Sequence, residues 1–275
     1  MKKRVLAVFM MLVLGASLIA CAKKTPAEEP KEETVVETKE EVALTVFAAA
    51  SMTETLQDIA ELYKDEAPHV SLSFNFDSSG TLQTQIEEGA DCDVFISAGE
   101  KQVNELEEGE YLVKDSRFDL LLNKVTLCVP TDNPKEINSF EDLVSKLPSE
   151  EMLFAMGNSD VPVGQYTQKI FEHFQLDEAV LAESGKISYG SNVKEVTTWV
   201  SEGSVDAGVV YCTDAFSAGL EIVDEATEEM CGKVLYPAAV VKATENEEEA
   251  KAYLEFLQSD QAVEIFEKVG FTKAF

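Results

Sequence analysis

From Val42 onward, apolar positions alternate between two rhythms: a short continuous run, then a stretch where they recur every third or fourth residue. That alternation predicts strand followed by helix, and so an α/β fold with largely parallel sheets. Strands are expected at 43–49, 70–76 and 93–97, with helices over 52–66, 80–88 and 100–107. Met52, Leu56, Ile59 and Tyr63 give the first helix one buried face. After the Leu120–Leu122 run a new strand begins at Val125 and is closed by Pro130, and the cycle restarts. Further strands are expected at 152–156, 187–189 and 207–211, with helices at 139–147, 164–175, 193–202 and 213–218. A last strand, Ala238–Lys242, precedes helices over 246–258 and 260–268. Two α/β sets joined near residue 123 and again near 236 predict two lobes with two crossings. Residues 42–123 and 237–275 form lobe 1, and 124–236 form lobe 2. A ligand belongs between them, at the C-terminal ends of strands.

The first 41 residues break this rhythm. Lys2, Lys3 and Arg4 precede an apolar stretch that is short for a membrane span, and it ends in Leu18-Ile19-Ala20-Cys21. Residues 1–21 therefore read as a signal peptide whose end resembles a lipoprotein lipobox, with Cys21 as the lipid attachment site. Residues 22–41 are rich in Glu and Lys, with two prolines and two adjacent valines as their apolar content. Such a composition forms no core and reads as a disordered acidic tether. The mature protein is expected outside the cell membrane, held to it by lipid.

Charge narrows the ligand. Removal of the three basic leader residues from a formal charge of −30 leaves about −33, which argues against nucleic acid as a partner. Arg117 is the single arginine after the leader, so bidentate recognition of an organic carboxylate is disfavoured. His69 and His173 are the two histidines, and neither belongs to a metalloprotease or nucleophile motif. Asp91 and Asp93 flank Cys92 at a strand entrance, a weak metal candidate in so acidic a chain. No enzyme, cofactor or cation site is expected. The pairing of Cys92, Cys128, Cys212 and Cys231 stays open on spacing alone.

Two phrases suit an oxyanion instead. Leu44 to Glu54 and Leu72 to Leu82 each run from a strand through serine into a helix start, bringing a hydroxyl and free backbone N–H groups to a strand's C-terminal edge. For Ser51 the competing reading is a capping box with Glu54. For Ser79 it is a plain cap, with Gly80 permitting close approach of another group. Val163 and Val193, at two further helix starts, have only amides to offer, and Tyr211 ends a strand with its phenol.

Five dispersed segments resemble the molybdate-binding proteins of ABC transporters: 47–53, 78–82, 94–98, 161–166 and 209–215. Their order and approximate spacing match over Val42 to Phe275. The resemblance implies a two-lobed type II periplasmic-binding-protein fold that captures molybdate, with tungstate close behind. It implies that Ser51, Ser79, Val163, Val193 and Tyr211 hold the anion, and that a membrane permease receives it from a monomeric receptor. The family often has a third serine where Gly80 stands, and acidic-Val-Arg where Asn192-Val193-Lys194 stands. Sulfate or another oxyanion is the alternative ligand, and an extracytoplasmic enzyme the remoter one.

Overall fold

The computed structural model describes residues 40–275. The expected leader, Cys21 and nearly all of the acidic tether lie outside the described residues.

The first sheet is built from β1 (Val42–Ala49), β2 (Val70–Asp77), β3 (Val94–Ile96), β4 (Phe118–Asn123), β10 (Val234–Val240) and β11 (Thr272–Lys273), in the order β11-β4-β10-β3-β1-β2. β1 runs parallel to both β2 and β3. Successive strands thus leave β1 in opposite directions, which opens a crevice at the C-terminal edge. The second sheet joins β5 (Val125–Val129), β6 (Phe154–Gly157), β7 (Ile187–Gly190), β8 (Ala207–Tyr211) and β9 (Glu221–Glu225), in the order β7-β6-β8-β5-β9. β6 is its switch strand, parallel to β7 and β8.

The sheets are mixed rather than largely parallel. Four strand pairs are parallel and five antiparallel. The crossings are the reason. The chain passes from β4 in one sheet to β5 in the other through Lys124 alone, and returns through Gly232-Lys233 into β10. β5 and β10 therefore enter their sheets against the direction of the parallel core. β10 begins four residues before the expected strand because Pro237 does not end it. The register shifts between Tyr236 and Pro237, and a bulge is where a strand tolerates proline.

Helices cover both sheets: α1 (Thr53–Glu66), α2 (Ser79–Glu87) and α3 (Glu100–Glu108) on the first, with α10 (Glu247–Phe256) and α11 (Asp260–Lys268) closing it. α4 (Phe140–Lys146), α5 (Pro162–His173), α7 (Val193–Ser201) and α8 (Cys212–Ala218) belong to the second. Leu56, Ile59 and Tyr63 of α1 are buried as their spacing predicts, and Tyr63 meets the Tyr253 ring edge-on at 5.1 Å. Two short helices, α6 (Glu178–Glu183) and α9 (Glu228–Cys231), and the strands β4, β9 and β11 had no assignment in the sequence pattern. The two helices and β11 are short, β9 and β11 lie at sheet edges, and in β4 the run Leu120–Leu122 is too brief to declare a period.

The four cysteines among the described residues are free. Burial pushes the Cys128 thiol up to about 12, so it behaves as a small apolar side chain. Asp93 is engaged by the protein itself. It accepts the Thr45 amide at 2.7 Å and the Thr244 hydroxyl, tying β1 to the segment after β10. Among the described residues no cluster of His, Cys, Asp and Glu is arranged to hold a metal, and no helix is long and apolar enough to cross a membrane.

Candidate functional site

β1 ends in Ala48-Ala49, which leave room for the chain to tighten into one 3-10 turn, Ala50–Met52, before α1 starts at Thr53. Ser51 sits inside that turn and makes no capping bond. The capping box read from Ser51 and Glu54 does not form. The Ser51 hydroxyl lies 2.9 Å from the Tyr236 phenol oxygen instead, and Glu54 turns to Lys194 on the far side of the cleft.

At the end of β2 the two adjacent serines divide the work. Ser78 caps α2, accepting the Thr81 amide at 3.2 Å. Ser79, the first residue of the helix and fully buried, is thereby released from capping. Its oxygen accepts the Ala98 amide at 3.0 Å. With one lone pair so occupied, the hydroxyl proton remains to be donated elsewhere. Sequence spacing offered no means of deciding which serine would cap.

From the second sheet, α5 begins without any side-chain cap, with Val161 as its N-cap and Pro162 in the first turn. Val163 is therefore among the first-turn residues whose amides have no carbonyl one turn back. α7 begins at Val193, and Asn192 caps it by accepting the Glu195 amide at 3.1 Å. Tyr211 ends β8, buried, and its phenol donates to the Ala98 carbonyl at 3.3 Å. Burial holds the Tyr211 phenol well above its ordinary pKa, with Tyr236 and Tyr166 adding to the shift. It stays a neutral hydrogen-bond donor.

These elements surround a small cavity of about 10 Å³ whose lining includes Ser51, Ser79, Val193 and Tyr211, together with Ala98 and Pro162. Val163 does not line it; its neighbours Val161 and Pro162 do. Asp77 also lines the cavity, a carboxylate that the sequence analysis did not single out. Its Oδ1 accepts the Ser78 amide at 2.7 Å and faces the Asn192 side-chain amide at 3.5 Å. A signal was there to read, since Asp77 stands immediately before the two serines at a strand's C-terminal end. A larger hollow between α1 and α10 is lined by Glu66, Glu248, Glu249, Glu255 and Asp260. That lining repels anions, so size does not identify the site here.

The two halves meet around the cavity. The Gly80 amide donates to the Asp160 carbonyl at 3.1 Å, an approach that only glycine allows, because a Cβ there would lie 2.3 Å from that oxygen. Lys194 reaches Glu54 on α1 at 2.8 Å and Asp214 on α8 at 3.4 Å. Asp214 is fully buried, and burial, opposed by Lys194, raises its carboxyl to about 6.

Donors without formal charge, gathered at helix starts around a small closed space, suit a compact anion. The family described as bacterial extracellular solute-binding protein matches residues 44–272. YvgL of Bacillus subtilis (strain 168), whose name assigns it provisionally as an ABC transporter substrate-binding lipoprotein, is 38% identical over 239 residues, 86% of this chain and 88% of its own. Molybdate-binding protein ModA of Escherichia coli (strain K12) is 33% identical over 238 residues, 85% of this chain and 90% of its own. Among solved structures, the periplasmic molybdate-binding protein of Azotobacter vinelandii superposes with a TM-score of 0.73 at 22% identity, covering 84% of this chain and all of its own. The two-sheet architecture is shared with solved periplasmic binding proteins. The chain belongs to the family of bacterial extracellular solute-binding proteins.

Proposed function

We infer that this protein captures molybdate, and tungstate with it, outside the cell membrane and delivers the anion to the permease of an ABC transporter. The supporting observation is the polarity of the cavity. Ser79 already accepts a backbone proton, so its hydroxyl is left to donate. Tyr211 is a neutral phenol, and Val193 opens a helix whose first amides lack partners. Such a lining favours an acceptor-only ligand, a fully ionised tetrahedral oxyanion. Relatives named as molybdate-binding, at 30% identity or more over most of the chain, support the choice among oxyanions.

In this reading Ser51, Ser79 and Tyr211 supply hydroxyls, Tyr211 by turning its proton from the Ala98 carbonyl to the anion, and Val163 and Val193 supply amides. Residues 42–123 with 237–275 form one lobe and 124–236 the other, and the second closes over the anion about the two crossings. The protein acts as a monomer anchored through lipid on Cys21; the name of the Bacillus relative includes the word lipoprotein. A hydrogen bond to a charged acceptor is worth about 1.5–3 kcal/mol, so a handful suffices for tight capture.

Calorimetric titration with molybdate, tungstate, sulfate and phosphate tests the reading. Tight 1:1 binding of the first two with weak binding of the others is expected. Preference for sulfate retains the cage and changes the ligand. Preference for phosphate, which carries a proton and needs an acceptor, makes Asp77 part of the site and overturns the donor-only reading.

A further inference from the structure

Tyr236 and Asn123 do not line the cavity, yet both are buried and both stand at a crossing between the sheets: Asn123 ends β4, and Tyr236 lies in β10. The Asn123 side chain is fixed in orientation. Its Oδ1 accepts the Lys124 amide at 2.8 Å, which leaves its Nδ2 to donate to Thr213 Oγ1 at 3.0 Å and to the Tyr236 phenol oxygen at 3.1 Å. The phenol oxygen therefore receives a proton from Asn123.

Of its hydrogen bonds among the described residues, the one able to take its own proton is that to Ser51 Oγ at 2.9 Å, while the neighbouring Tyr211 phenol is engaged with the Ala98 carbonyl. Were Ser51 to donate to Tyr236 instead, the buried phenol proton would be left without an acceptor, at substantial cost. Satisfying every group fixes one direction, from Asn123 to Tyr236 to Ser51. The Ser51 hydroxyl proton is then the free end of the chain, at the wall of the cavity.

The geometry points to Tyr236 and Asn123 as positioning residues that set the polarity of Ser51, making it a committed donor to the bound anion. This inference rests on the oxyanion reading of the same site. The relay does for Ser51 what the Ala98 amide does for Ser79: each serine accepts one fixed proton from the protein and directs its own outward. Hydrogen bonds in such a chain also polarise one another, strengthening the last donor. Because the relay starts at the crossings and also touches Thr213 on α8, the donor is held where the two halves join.

The test is a double-mutant cycle on the full chain, with Tyr236→Phe, Ser51→Ala and the pair, titrated calorimetrically with molybdate. Tyr236→Phe is expected to weaken binding about three- to tenfold in the wild-type background and to leave the affinity of Ser51→Ala unchanged. Equal weakening in both backgrounds, or no weakening in either, overturns the relay. Should Tyr236→Phe fail to fold, Asn123→Ala takes its place, with the same dependence on Ser51 expected.

Absence of molybdate binding by the wild type would sink the proposed function separately. The relay is then read on the ligand-free protein by thermal unfolding. Destabilisations by Tyr236→Phe and Ser51→Ala that fall short of additive uphold the shared bond, and strictly additive ones remove it.

Discussion

Gly80→Ala separates closure from folding, and its two effects have opposite signs. A Cβ at position 80 would sit 2.3 Å from the Asp160 carbonyl oxygen, where contacts under 3.0 Å are essentially never found. The obstacle is backbone, so Asp160 must retreat by roughly 0.7 Å to reach even that limit, carrying the start of α5 with it. The 3.1 Å bond from the Gly80 amide is lost in the process. A lost hydrogen bond costs about 0.5–1.5 kcal/mol net, and overpacking about 1–3 kcal/mol. Together these amount to about 1.5–4.5 kcal/mol against the closed arrangement, a roughly 10- to 1,600-fold loss of molybdate affinity. A ligand-free protein is free to part its halves and avoid the clash. In that state alanine is the better helix residue by about 0.5–1 kcal/mol, so the thermal midpoint should hold or rise slightly. Calorimetric titration and thermal unfolding of the same preparation read both quantities. Wild-type affinity in Gly80→Ala would refute the claim that the Gly80–Asp160 contact belongs to the bound state. A fall in ligand-free stability would show that the halves stay closed without ligand.

Tyr211→Phe is expected to weaken molybdate binding by about 1–3 kcal/mol, measured by titration, while the long 3.3 Å bond to Ala98 makes its loss cheap for the ligand-free fold. Ser79→Ala should lose similar affinity but also about 1–3 kcal/mol of stability in urea unfolding, because the buried Ala98 amide is left without its acceptor. Asp214, raised from 3.8 to about 6 by burial among Lys194, Glu54, Tyr211, Tyr236 and Cys128, contributes stability that is present below about pH 4 and lost as pH rises through about 6. Relative to Asp214→Asn, the wild type should therefore gain about 2 kcal/mol between pH 7 and pH 4 in urea unfolding, and a constant difference would contradict it. Lys194→Met should destabilise the protein more at pH 8, where Asp214 is charged, than at pH 5, with Lys194→Arg close to wild type; equal losses at both pH values would remove the Lys194–Asp214 pair as the cause.

The strand-and-helix rhythm was legible because burial enforces it. β3, β5, β6 and β8 are apolar on both faces, and the long helices carry one buried stripe each. Of the five residues expected at helix and strand ends, four line one cavity. What spacing hid was partnership across the fold. Ser51-Met52-Thr53-Glu54 has the pattern of a capping box, but Ser51 bonds a phenol 185 positions away and Glu54 a lysine 140 positions away. Local patterns report local competition, and here two long-range contacts won. Tyr236 escaped notice for a related reason. Pro237 beside it reads as a break, whereas the bulge keeps both residues inside β10.

The proposed anion site lies in a chain of charge −30, which poses an electrostatic question. Beyond about 8 Å the surface carboxylates are largely screened at physiological salt, so their long-range repulsion is modest. Lys194, next to Val193 in sequence, does not tip the balance, because it is shared between Glu54 and Asp214. Attraction must come from dipoles: helix starts worth roughly half a charge each, and hydroxyls whose direction the protein has fixed. Fixing that direction also gives selectivity. Ser79, and Ser51 under the relay, present protons only, so a ligand bearing a proton of its own meets donor against donor. Each such mismatch costs about 1–3 kcal/mol in a buried site. Oxyanions that stay fully ionised at neutral pH are therefore favoured over hydrogen phosphate without any charged residue doing the discriminating. Asp77 stands at the wall as the one carboxylate able to relax that rule. Its Oδ1 is engaged by Ser78 and faces Asn192, which turns it toward holding the two halves together rather than receiving a ligand's proton.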